Sequence, residues 1–177
     1  MRVHHLNTGT MCPRGGRLVS GSGGLFARAR LVCHCLLIES DDGLVLVDTG
    51  IGSGDIAAPA RLGARWVRQA APRLDASETA LQQVRALGFS PDDVRHILLT
   101  HLDRDHAGGI GDFPKAKVHV HRAEHAMAVE GLRRRRPAAM SRANGGIVPT
   151  GSSMAMTART GSAFAVSAPP SIAAATS

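Results

Sequence analysis

The chain has 177 residues and a mass of 18.5 kDa, enough for one domain with a sizeable core. Hydrophobic residues make up 44% and charged residues 20%, which excludes collagen, coiled coil and wholesale disorder. No apolar run approaches the roughly 18 residues of a membrane-spanning helix. The net charge of +7 is unevenly spread. Residues 1–130 hold 15 Lys/Arg and all 14 Asp/Glu, whereas residues 131–177 hold six Arg and no acid. The basic character therefore belongs mostly to the C-terminal stretch. The N-terminus, Met1-Arg2-Val3-His4-His5, lacks the apolar core of a signal peptide. Three cysteines, two of them at positions 33 and 35, make no disulfide framework, and a cytoplasmic, reducing compartment is expected.

In chain order, Val3–Thr8 reads as a first strand and Thr10–Gly24, with Pro13 and five Gly, as a loop. Leu31–Glu39 is rich in apolar and β-branched residues and reads as a strand. Asp41-Asp42-Gly43 is a hairpin turn into a buried strand, Leu44–Val47, that ends in Asp48-Thr49-Gly50. Ser77–Leu87 has helical spacing, with Leu81, Val84 and Leu87 on one face and Gly88 as its C-cap. Ser90-Pro91-Asp92-Asp93 begins a short helix. His96–Thr100 and Lys117–His121 read as strands, and Arg122–Glu130 as a helix ending at Gly131. Residues 1–130 thus form an α/β unit. Residues 131–177 have the composition of a disordered basic tail. Their Arg/Ala/Ser/Pro bias is also that of an out-of-frame translation of a GC-rich gene.

The chemistry is concentrated in Thr100-His101-Leu102-Asp103-Arg104-Asp105-His106-Ala107-Gly108-Gly109. Four potential metal ligands, His101, Asp103, Asp105 and His106, fall within six residues. They follow an apolar strand and precede a glycine pair, so a loop can turn several of them toward one point. Imidazole nitrogens bind zinc at about 2.0–2.1 Å and carboxylate oxygens at about 2.0–2.2 Å. Asp103 and Arg104 also fit a reading as solvated turn residues.

This segment resembles the T-H-x-H-x-D-H signature of the metallo-β-lactamase-fold hydrolases. Leu44-Val45-Leu46-Val47-Asp48-Thr49-Gly50 resembles the strand-D-T-G element of the same family, at the expected distance upstream. The resemblance covers roughly residues 1–130, the N-terminal half of a four-layer αβ/βα sandwich. It implies a site holding one or two zinc ions. His101 would ligate the first metal, and Asp105 and His106 the second. Asp48 would lie beneath and orient them. Metal-bound hydroxide would attack an ester, lactone or thioester carbonyl of a small molecule, with Asp105 holding the hydroxide and taking up its proton. Asp103 stands where the family has a second His. Its harder oxygen donor shifts preference toward Mn or Fe. The family draws a His, a bridging Asp and a final His from its C-terminal half. This chain has no His after His125 and no acid after Glu130. It therefore reads as the N-terminal half of such an enzyme, truncated or frame-shifted after about residue 131. Its inner sheet face would lie open.

Two other functions fit the residues: an inactive, truncated metal-binding remnant, and a basic nucleic-acid-associating protein gripping phosphates through Arg133–Arg136. One Trp and no Tyr give no stacking platform, which counts against the latter. Cys33-His34-Cys35 reads as strand packing, the two thiols on one face and His34 on the other. His4 and His5 take packing or surface roles, and His119 and His121 a polar sheet face. Gly50–Gly54 reads as a flexible loop beside the site, since it lacks a P-loop Lys and the dinucleotide-binding spacing.

Overall fold

A computed structural model describes the backbone of residues 1–135, apart from positions 22 and 25, and side chains through residue 131. Five strands form one sheet in sequence order: β1 (Arg2–Met11), β2 (Leu31–Ser40), β3 (Gly43–Val47), β4 (Val94–Leu99) and β5 (Lys117–Val120). β1, β2 and β3 are antiparallel neighbours, whereas β3, β4 and β5 run parallel. Parallel neighbours need long crossovers. The first carries helices α2 (Ser53–Ala57), α3 (Ala64–Ala70) and α4 (Ala80–Ala86). The second carries the single-turn helix α5 (Arg104–Ala107). Helix α1 (Gly16–Ser20) lies between β1 and β2, and α6 (Arg122–Arg135) follows β5.

The strands alternate as a pleated sheet requires. Cys33, Cys35 and Leu37 of β2, Leu44 and Leu46 of β3, and Val94, Ile97 and Leu99 of β4 are buried. All of these but Cys33 pack with Ala80 and Val84 of α4, Ala107 and Phe113 into one core. The thiols of Cys33 and Cys35 are pushed up to about 12, chiefly by burial, which bears out their reading as small hydrophobes. The intervening residues face the other way. Leu36, Ile38, Val45 and Val47 are half-buried, and Leu98 is 41% exposed. Among the described residues this second face is only partly covered.

Several expected boundaries shift. β1 runs on to Met11 through a bulge, because Asn7 pairs with His34 and Thr10 with Val32, leaving Thr8 and Gly9 opposite Cys33. The helix read over 77–87 is a 3-10 turn, Ala76–Glu78, followed by α4. Extended Thr79 breaks the two and caps α4, accepting from the Gln82 N–H. Ala80 and Val84 face the core, while Leu87, expected there, is exposed. Gly88 does close the helix: its N–H donates to the Arg85 carbonyl and that of Phe89 to Val84, a Schellman pair. The helix at Ser90 is one 3-10 turn with a capping box. Helix α6 does not stop at Gly131 but continues to Arg135, since a helix tolerates Gly at a cost of about 1 kcal/mol. The rest of the expected tail lies outside the described residues.

Candidate metal centre

The site is built where parallel strands β3 and β4 end side by side, the edge at which open α/β sheets gather ligands. Asp48 leaves β3 and Thr100 leaves β4, so residues 52 apart in sequence meet. Asp48 is buried and holds a left-handed backbone conformation, φ 60°, which Asp tolerates better than most residues. Its N–H donates to the Leu98 carbonyl across the strand pair. Its carboxylate points at the following loop. Oδ1 accepts from the Thr100 N–H at 2.8 Å. Oδ2 lies 2.7 Å from Thr100 Oγ1 and 2.9 Å from His106 Nδ1.

Thr49 braces the same loop from behind. Its N–H and its hydroxyl both donate to the His106 carbonyl, at 2.8 and 2.9 Å, and its Oγ1 accepts from the Gly109 N–H. Close approach here demands glycine. A Cβ on Gly109 would stand 2.6 Å from the Thr49 carbonyl oxygen, and one on Gly50, at φ 67°, would run into Thr8. The β1 bulge serves the site too, because the Thr8 carbonyl accepts from the Ile51 N–H and docks the loop after Asp48. Gly50, Ile51 and Gly52 are buried, so this segment is packed scaffold and not the flexible loop expected. Asp55, buried behind it, has its carboxyl raised by burial, with Arg61 at 3.3 Å opposing.

The four residues named from sequence come out on one side of this scaffold. The His101 and His106 rings lie 4.0 Å apart between centroids. His106 Nε2 is 3.7 Å from Asp105 Oδ2, and His101 Nε2 is 3.5 Å from Asp103 Oδ2. Asp103 is the most exposed of them and Asp105 the least. Two donors on one tetrahedral ion stand about 3.4 Å apart, given bonds near 2.0–2.1 Å. Each His–Asp pair therefore fits an edge of such an ion. Among the described residues, however, no three His, Cys, Asp or Glu side chains gather closely enough to hold a metal.

Arg104, readable as a solvated turn residue, is instead an anchor. Its guanidinium donates to the Leu62 carbonyl and lies 5.8 Å from the centre of the Trp66 ring. Thr49, Thr100 and Arg104 are the supporting residues that sequence reading did not assign. Their only sequence signal was a position inside or beside the two motifs. His5 pairs with His34, and His96 with His119, each at 2.9 Å. Helix α6 contains Arg133–Arg135, whose side chains, like Arg136, lie outside the described residues. No helix among the described residues is long and apolar enough to cross a membrane.

Comparison with known proteins agrees with this architecture. The sequence model of the Metallo-beta-lactamase superfamily matches residues 28–170, reaching past Glu130 into the stretch read as a tail. A "Probable metallo-hydrolase" of Mycobacterium tuberculosis is 48% identical over 130 residues, covering 73% of this chain and 37% of that protein. An N-acyl homoserine lactonase of Bacillus thuringiensis is 31% identical over 96 residues, covering 54% of this chain and 38% of the lactonase. Among solved structures, an N-acyl homoserine lactone hydrolase with the product N-hexanoyl-L-homoserine at its catalytic metal centre superposes with a TM-score of 0.58. It is 26% identical and covers 72% of this chain and 51% of the hydrolase. The chain thus spans less than two fifths of the curated relatives it matches. With both motifs joined at the C-terminal edge of one sheet, and the superfamily model matching most of its length, the chain belongs to the metallo-beta-lactamase superfamily.

Proposed function

We propose that this chain carries the site of a metal-dependent hydrolase acting on an ester, lactone or thioester carbonyl of a small molecule. A lactone is preferred because the named relatives include lactonases. The observation that carries the reading is the pairing of His101 with Asp103 and of His106 with Asp105 at separations suited to a tetrahedral ion, above buried Asp48. His101, Asp103, Asp105 and His106 would hold the metal, with zinc first and Mn or Fe as alternatives. When bound, a divalent ion supplies acidity to water and polarises a carbonyl. Asp48 holds His106 by its Nδ1, leaving Nε2 for ligation. Asp105 would hold a water and take its proton, a role its lower exposure supports.

A second reading is a metal-binding remnant without catalysis. It is favoured by the chain spanning less than two fifths of the curated relatives it matches. Elemental analysis of the monodisperse chain, beside Asp105→Ala and His106→Ala, tests the first reading. One or two equivalents of zinc, manganese or iron, lost in both variants and accompanied by lactone hydrolysis, are expected. Metal without turnover would leave the remnant. No metal in the wild type, or metal retained in both variants, would overturn the site.

A further inference from the structure

Thr100 stands between Asp48 and His101, and its hydrogen bonds can be assigned by counting protons. A hydroxyl has one hydrogen to donate, and an ionised carboxylate can only accept. Thr100 Oγ1 lies 2.7 Å from Asp48 Oδ2, so its hydrogen is committed to that oxygen. The same Oγ1 lies 2.9 Å from His101 Nδ1. It can meet that nitrogen only as an acceptor, so Nδ1 must carry the ring hydrogen. In a neutral imidazole this leaves the lone pair on Nε2, where exposed Asp103 Oδ2, at 3.5 Å, is too far to compete strongly for the ring hydrogen. Unconstrained imidazole favours the opposite form, with the hydrogen on Nε2.

We infer that Thr100 is a positioning residue that locks His101 in the Nδ1–H form, relaying the Asp48 carboxylate to a second ring. One buried carboxylate would then set both histidines: His106 directly at 2.9 Å, and His101 through the threonine hydroxyl. The Thr100 N–H on Asp48 Oδ1 fixes the threonine in register, so the relay is held at two points. Thr100 is itself exposed, and its replacement leaves the core untouched. The link to metal rests on the function proposed above; the tautomer does not.

The test is ¹⁵N NMR of the histidine side chains in the metal-free full chain, at a pH where the imidazoles are neutral. Zinc titration by competition runs in parallel, for wild type, Thr100→Val and Thr100→Ser. In the wild type both His101 and His106 should show Nδ1–H. In Thr100→Val, His101 should move toward Nε2–H while His106 stays, and zinc affinity should fall about 10–100-fold, as for lost ligand-orienting partners. Thr100→Ser should restore both readouts. His101 found as Nε2–H in the wild type would overturn the inference. So would a Thr100→Val variant in which neither ring or both rings change, or a serine variant that behaves like valine. If the wild type binds no zinc yet shows the expected tautomers, the relay stands and the metal-dependent reading falls.

Discussion

The two faces of the five-stranded sheet come from the same strands and differ in what meets them. On one face, Leu37, Leu46 and Ile97 have no solvent exposure and pack with α4 and Phe113. On the other, Leu36, Ile38, Val45, Val47 and Leu98 are equally apolar yet half-exposed. In a sheet with one solvated face, alternate residues should be polar. Apolar residues on both faces are the pattern of strands meant to be covered twice. The helix-covered face is a finished core. The second face, only partly covered among the described residues, is an apolar surface of the kind that drives association. The scaffold of the site hangs from the finished side, through Thr8, Thr49 and Asp48.

The two faces should answer differently to substitution. The largest effect should come from Phe113→Ala, whose side chain is buried, at about 3–5 kcal/mol, with Leu37→Ala at about 2–5 kcal/mol. Urea midpoints at unchanged slope would report both. Losses below about 1 kcal/mol would refute the account of this face as a packed core. Alkaline pH should come next. The Cys33 and Cys35 thiols sit at about 12 in the folded chain against an ordinary 9.0. The folded state therefore holds protons that the unfolded state releases. Their contribution is complete below pH 9 and falls as pH rises toward 12. A pH series on Cys33→Ala/Cys35→Ala should show a shallower decline, and an unchanged slope would refute it. On the second face, Val47→Ala should cost about 1 kcal/mol or less by the same urea assay. The smallest stability effect is expected for Leu98→Lys, which should instead lower self-association in sedimentation velocity. Aggregation equal to wild type would show that this face does not drive association.

Much of this was legible in the residues, for identifiable reasons. Strands β2, β3 and β4 announce themselves by runs of apolar and β-branched residues, and the metal loop by ligand density between a strand and two glycines. The 3-10 turn before α4 was not legible, because Thr79 breaks a helix whose periodicity reads as continuous. Helices α2 and α3 are short, rich in Ala, Gly and Arg, and lack an apolar stripe that would betray them. The left-handed Asp48 and the bulge at Thr8 are set by contacts with other strands.

Residue order alone carries the two motifs, the strands that hold them and the ligand types on offer. Those follow from local period and side-chain chemistry. Only the tertiary structure decided that Asp48, 52 residues before Thr100, holds that residue and His106 at once. It also decided that Arg104 anchors to Leu62 and Trp66, and that one face of the sheet is finished while the other is only partly covered among the described residues. The physical reason is common to all three. Parallel pairing of β3 and β4 brings distant strand ends together, and hydrogen bonds across such a junction leave no trace in local sequence.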